Sequence, residues 1–182
     1  MRKYAQYDLE NMTIEEKKRL AEDTRYPEIL RLLANDEDSG VRYYVARNLV
    51  TPIDILRKLA NDEDSGVRSQ VAVHPKVTID ILEKLAKDDD YVVREYVAYS
   101  INTPVGLLKQ LSDDKNSTVR ELVAKNPNVT SDILEKLLED ESRTVRNAAK
   151  EHLEIRGMET RGSKKYYSFK KFSNELKRIK EV

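Results

Sequence analysis

The pair Val-Arg recurs at residues 41–42, 67–68, 93–94, 119–120 and 145–146, always at the same interval and with no slippage. The segment from Ala34 to Arg42 returns unchanged at residues 60–68. A fixed period of this length constrains the fold more than any other feature of the chain. One such unit cannot bury its own apolar face, so units must stack on their neighbours and share a continuous core. The expected fold is an all-α solenoid of tandem 26-residue repeats, each one α-helix plus one shorter helix.

One unit runs from Val41 to Gly66. Val41, Val45, Ala46 and Leu49 share one arc of a helical wheel. The column Asp38, Asp64, Asp90, Asn116 and Ser142 supplies N-caps, whose side-chain oxygens accept from free backbone N–H groups. Pro75 and Pro127 mark the stops, because the residue before a proline is pushed out of the α region. A shorter helix follows, with Ile55, Leu56 and Leu59 as its apolar face, repeated as Ile29/Leu30/Leu33, Ile81/Leu82/Leu85, Leu107/Leu108/Leu111 and Ile133/Leu134/Leu137. Thr51-Pro52 and Thr103-Pro104 read as an N-cap followed by a proline at the first helical position. Val77-Thr78 and Val129-Thr130 move that threonine by one residue, which predicts a different loop in alternate repeats.

Stacked repeats need capped ends. Residues 1–24 are expected to form an N-terminal helical cap, opened by the capping-box pattern Thr13-Ile14-Glu15-Glu16. Residues 25–156 form the repeat region, and a helix beginning near Val145 and running through Leu153 and Ile155 closes it. Residues 157–182 read as a linker and a basic amphipathic C-terminal helix, with Phe169, Phe172, Leu176 and Ile179 at helical spacing.

The strings Val71-Ala72-x-His74-Pro75 through Leu82-x-x-Leu85-Ala86-x-Asp88 and Val93-Arg94, and Val123-Ala124-x-Asn126-Pro127 through Leu134-x-x-Leu137, resemble the leucine-rich repeat variant family. The resemblance spans roughly residues 25–154. It implies a right-handed superhelix in which an α-helix alternates with a short, often 3₁₀, helix. It also implies a binding or scaffold role with no catalytic residue. Some members carry a cysteine-rich iron–sulfur segment; this chain has no cysteine, so that feature does not carry over. The half-pattern Leu-x-x-Leu-x-x-Asp-x₅-Arg-x-x-Val-Ala also resembles HEAT repeats, the broader relatives, although a unit of this length is too short for two full HEAT helices.

The arginine column, Arg42, Arg68, Arg94, Arg120 and Arg146, admits two readings. A spaced row of guanidinium groups suits a phosphate backbone. The wheel instead places Arg42 within the apolar arc, and an aspartate stands six positions before each arginine: Asp36, Asp62, Asp88, Asp114 and Asp140. A buried arginine needs such a partner, and the HEAT resemblance implies an Asp–Arg ladder. The acidic loops around these aspartates read as helix caps, since negative charge suits a helix N-terminus. His74 and His152 share a column with Asn48, Ser100 and Asn126 and read as polar helix ends, too far apart to share a metal.

Helix columns free of packing duty hold Tyr43, Tyr44, Arg47, Tyr96, Tyr99 and Lys125, and exposed tyrosine and arginine are typical anchors for a partner. Residues 161–182 carry eight Lys/Arg against two Glu, while the rest of the chain carries 25 Lys/Arg against 31 Asp/Glu. Lys164, Lys165, Lys170, Lys171, Lys177 and Arg178 are the candidate tail contacts. No nucleophile–base pair, glycine-rich phosphate loop or metal-ligand spacing is present, so neither enzyme chemistry nor a cofactor is expected. The absence of cysteine, of a long apolar run and of a leader points to the cytoplasm. The expected function is a non-enzymatic, protein-binding scaffold. The alternative is a nucleic-acid-associated protein that uses the basic tail and the tyrosine and arginine columns.

Overall fold

The computed structural model describes residues 8–160, with side chains to Gly157. Among these residues there are eleven helices and no strand. They are α1 Ile14–Asp23, α2 Pro27–Leu33, α3 Ser39–Arg47, α4 Ile53–Leu59, α5 Ser65–Val73, α6 Ile79–Leu85, α7 Tyr91–Tyr99, α8 Val105–Leu111, α9 Ser117–Lys125, α10 Ser131–Leu137 and α11 Arg143–Thr160. Nine-residue helices alternate with seven-residue ones through the repeats. The shorter member is α-helical in every repeat, not 3₁₀ as the resemblance allowed.

The long helices start where a side chain can receive their free amides. Asp38 accepts from the Val41 amide and Asp64 from the Val67 amide; Asn116 accepts from those of Thr118 and Val119. They stop at Asn48, His74 and Asn126, whose extended backbone ends the turn. Leu49 therefore lies beyond α3 and is only half-buried. The short helices differ from expectation at their starts. Pro52 and Pro104 are themselves the caps of α4 and α8. The Thr51 hydroxyl turns inward and donates to the Val45 carbonyl at 2.6 Å, tying the loop to the helix it has just left. At the N-terminus, Thr13 and Glu16 form both halves of the capping box at the start of α1. At the other end α11 runs unbroken through Gly157 to Thr160.

The helices gather into two compact units whose boundary falls within α7, between Val97 and Ala98. Each is a stretch of helical solenoid. In the first, α1 packs on α3 and α3 on α5; in the second, α9 packs on α11. The core consists of the valine and alanine columns of the long helices and the Ile/Leu-Leu-x-x-Leu face of the short ones. Each buried Leu or Ile contributes about 1.5–3 kcal/mol before conformational entropy is subtracted.

Candidate functional site

The arginine column builds a ladder between successive repeats. Arg42 Nη1 donates to the carbonyls of Asp36 and Glu37 at 2.8 and 2.9 Å, which pins the loop before its own helix. Its Nε and Nη2 donate to the Asp62 carboxylate of the following repeat at 2.7 and 2.8 Å. Arg68 does the same with the Asp62 and Glu63 carbonyls and the Asp88 carboxylate. Arg120 holds the Asp114 carbonyl and the Asp140 carboxylate. Arg94 and Arg146 likewise donate to their loop carbonyls, those of Asp88 and Asp89 and of Asp140 and Glu141. At the start of the ladder Lys17 of α1 takes the arginine's place and reaches Asp36 at 2.8 Å.

The sequence spacing pointed each arginine to the aspartate of its own repeat. In the structure that aspartate contributes its backbone carbonyl, and the carboxylate comes from the repeat that follows. Each ladder carboxylate also accepts the amide two positions ahead, as Asp62 does from Asp64 at 3.0 Å and Asp140 from Ser142 at 2.8 Å. The hydrogen bond from Arg120 holds the Asp140 carboxyl below its ordinary value, against the opposing effect of burial. The bond to Asp62 likewise raises the Arg42 guanidinium. With Arg42 and Arg120 each 7% exposed and their forks filled, they offer no edge to a phosphate.

A second polar row lies at the opposite ends of the long helices. Asn48 Nδ2 donates to the carbonyls of Ala21, Glu22 and Thr24, which close the helix before it. Asn126 Nδ2 donates to those of Ala98 and Ser100. His74 is 2% exposed. Its Nδ1 accepts from the Lys76 amide, which leaves Nε2 to donate to the Asn48 carbonyl at 3.0 Å. His152 meets the Ala124 carbonyl at 2.7 Å. What read as a set of polar helix ends is a row of buried staples between repeats.

The tyrosine columns are less open than their spacing suggested. Tyr43 and Tyr44 are half-buried on α3, with ring centroids 5.6 Å apart and planes at 84°. Ser69, in the Tyr43 column, is buried outright. Arg47 is exposed and reaches Glu22 of α1 at 3.3 Å. Tyr96 is half-buried on α7 and belongs to the first unit; Tyr99, 36% exposed, and Lys125, paired with Glu121, belong to the second. The structure thus gathers Tyr43, Tyr44 and Arg47 on one helix and sets Tyr96 on another. Lys164, Lys165, Lys170, Lys171, Lys177 and Arg178 lie outside the described residues.

The ladder and cap aspartates of the acidic loops are engaged, while Glu37, Glu63, Asp89 and Glu141 stay exposed. Among the described residues no group of three acidic or histidine side chains is placed to hold a metal ion, and no helix is long and apolar enough to cross a membrane. A groove in the second unit between residues 112–115 and 136–141 is spanned by Lys136, whose Nζ reaches Asp113 at 2.5 Å and Ser112 at 3.1 Å. α11 carries Arg143, Arg146 and Lys150 at helical spacing, of which the period marked only Arg146.

Among solved structures, the chain is similar to a leucine-rich repeat variant described as having a novel repetitive protein structural motif. The two are 33% identical over 79% of this chain and 68% of that one, with a TM-score of 0.55. It is also similar in fold to YibA of E. coli, at 23% identity over 86% of this chain and 76% of that one, with a TM-score of 0.52. No family model and no curated protein matches the chain.

Proposed function

Because this chain belongs to the leucine-rich repeat variant family, we propose that it is a non-enzymatic interaction module and that its partner is a protein. The observation that carries the reading is the edge-to-face pair Tyr43–Tyr44 one turn from the exposed Arg47 on α3. Tyrosine brings large contact area at low entropic cost and arginine brings directed donors, and both are enriched in binding hot spots. These three side chains vary from repeat to repeat at their columns, whereas the ladder and staple positions hold to a narrow choice. A cytoplasmic setting is part of the same proposal.

The test is capture from a lysate of the source cells on immobilised full-length chain, with and without nuclease. Capture that survives nuclease and is lost in Tyr44→Ser/Arg47→Ser is the expected result. Capture that nuclease abolishes would transfer the function to nucleic acid and to the basic residues 161–182. A circular-dichroism melt of the variant confirms that it is folded.

A further inference from the structure

Arg146 is set like the other ladder arginines, but among the described residues it has no acceptor carboxylate. Its Nη1 is held by the Asp140 and Glu141 carbonyls at 2.6 and 2.8 Å, as Arg42 and Arg68 are held by their own loops. In Arg42, Arg68 and Arg120 this anchoring directs the Nε/Nη2 edge at the carboxylate of the next repeat. Among the described residues no carboxylate meets that edge of Arg146. The acceptor's place in the period, one full repeat after Asp140, falls on Tyr166. One turn along α11, the exposed Lys150 stands where the earlier repeats bury Ala46, Ala72, Ala98 and Ala124. Arg143 is exposed at the start of the same helix.

We propose that this edge of α11 docks an acidic segment of a partner protein, with one Asp or Glu carboxylate held bidentately by Arg146. The inference rests on the protein-binding reading and adds the partner's chemistry. A guanidinium already fixed by two carbonyls loses little freedom when it closes on a carboxylate, and the planar fork matches that group. Charge complementarity with Arg143, Arg146 and Lys150 selects an acidic occupant. A second copy of this chain has its ladder aspartates engaged already, Asp36 by Lys17, Asp62 by Arg42, Asp88 by Arg68 and Asp140 by Arg120. Residues 161–182 carry eight Lys/Arg against two Glu, a poor charge match for a basic edge. A nucleic acid would carry its many phosphates past the neighbouring Glu139, Asp140 and Glu141.

The probe is a capped decapeptide with the sequence of residues 59–68, which contains the aspartate that Arg42 holds inside the fold. It is titrated into ¹⁵N-labelled full-length chain while the arginine Nε–Hε resonances are followed. The Arg146 signal is assigned by its disappearance in Arg146→Lys. A saturable shift is expected, at least about tenfold weaker when the peptide carries Asp62→Asn, as for loss of a charge-assisted bidentate pair. No shift, or a shift indifferent to that change, overturns the proposal. Lys150→Glu, at an exposed position, should weaken peptide binding, and unchanged binding counts equally against the site. If Glu175→Gln/Glu181→Gln moves the Arg146 resonance with no peptide present, the occupant is the chain itself and the proposal falls. It falls too if oligouridylate displaces the peptide at lower concentration than a free acidic peptide does. Failure here with nuclease-resistant capture through Tyr44 and Arg47 intact leaves the protein-binding reading standing, so the two failures are distinct.

Discussion

At the scale of single residues, most polar chemistry in this protein serves cohesion. Arg42 joins one repeat's loop carbonyls to the next repeat's carboxylate with little exposure on either side. Arg42→Ala would leave the Asp62 carboxylate and two loop carbonyls short of donors. The expected cost is roughly 1–3 kcal/mol, read by urea denaturation. His74 makes a sharper prediction. Burial pushes its imidazole below the ordinary value, the bond to the Asn48 carbonyl works the other way, and nearby Lys76 adds to the lowering. The unfolded imidazole takes up its proton near pH 6.5, the folded one only at lower pH. Within that window the unfolded chain binds more protons, so stability is full above about 6.5 and falls as the pH drops below it. His74→Asn keeps a stapling amide of the kind Asn48 and Asn126 provide. Its melting temperature should therefore fall less between pH 7 and pH 5 than that of the unaltered chain, and parallel curves would refute the assignment. The ladder carboxylates act lower on the scale. Asp140, held below its ordinary value by Arg120, contributes stability above the unfolded carboxylate pKa that is lost as pH falls through the folded one.

At the scale of the element, the helices were legible where a cap or a proline punctuates the chain. The column Asp38, Asp64 and Asn116 opens its helices as read, and Thr13 with Glu16 opens α1. Thr13→Ala should cost about 0.5–2 kcal/mol and quicken amide exchange in the first turn of α1 before it is felt elsewhere. Thr51 escaped the reading because a threonine before a proline satisfies two patterns. Its hydroxyl can cap forward or bond back to the helix it leaves, and burial favoured the Val45 carbonyl. The arginine's partner escaped for a different reason. In a chain of strict period, a fixed offset back to one aspartate is also a fixed offset forward to the next, and both recur with equal regularity. Only the packing of neighbouring helices chooses between them. The tyrosine columns looked free on a single wheel because a wheel contains one helix, whereas in the packed structure Tyr43, Tyr44 and Tyr96 are half-buried and Ser69 is buried outright.

At the scale of the whole molecule, repeats that touch only their neighbours should make stability a sum over joints. Deleting residues 67–92 joins Gly66 to Val93-Arg94 and preserves the period. The product should remain helical with a lower melting temperature by circular dichroism, and an unfolded product would contradict a nearest-neighbour stack. The two rows of staples have a mechanical side. Helices α3 and α5, and α9 and α11, are fastened toward one end by guanidinium and toward the other by imidazole. A joint held at one point swivels; one held at two resists torsion and has to shear. Drawn out between optical traps, such a chain should hold its length under rising tension and then lengthen in a staircase of near-equal steps. Each step would release one period, about 90 Å of contour.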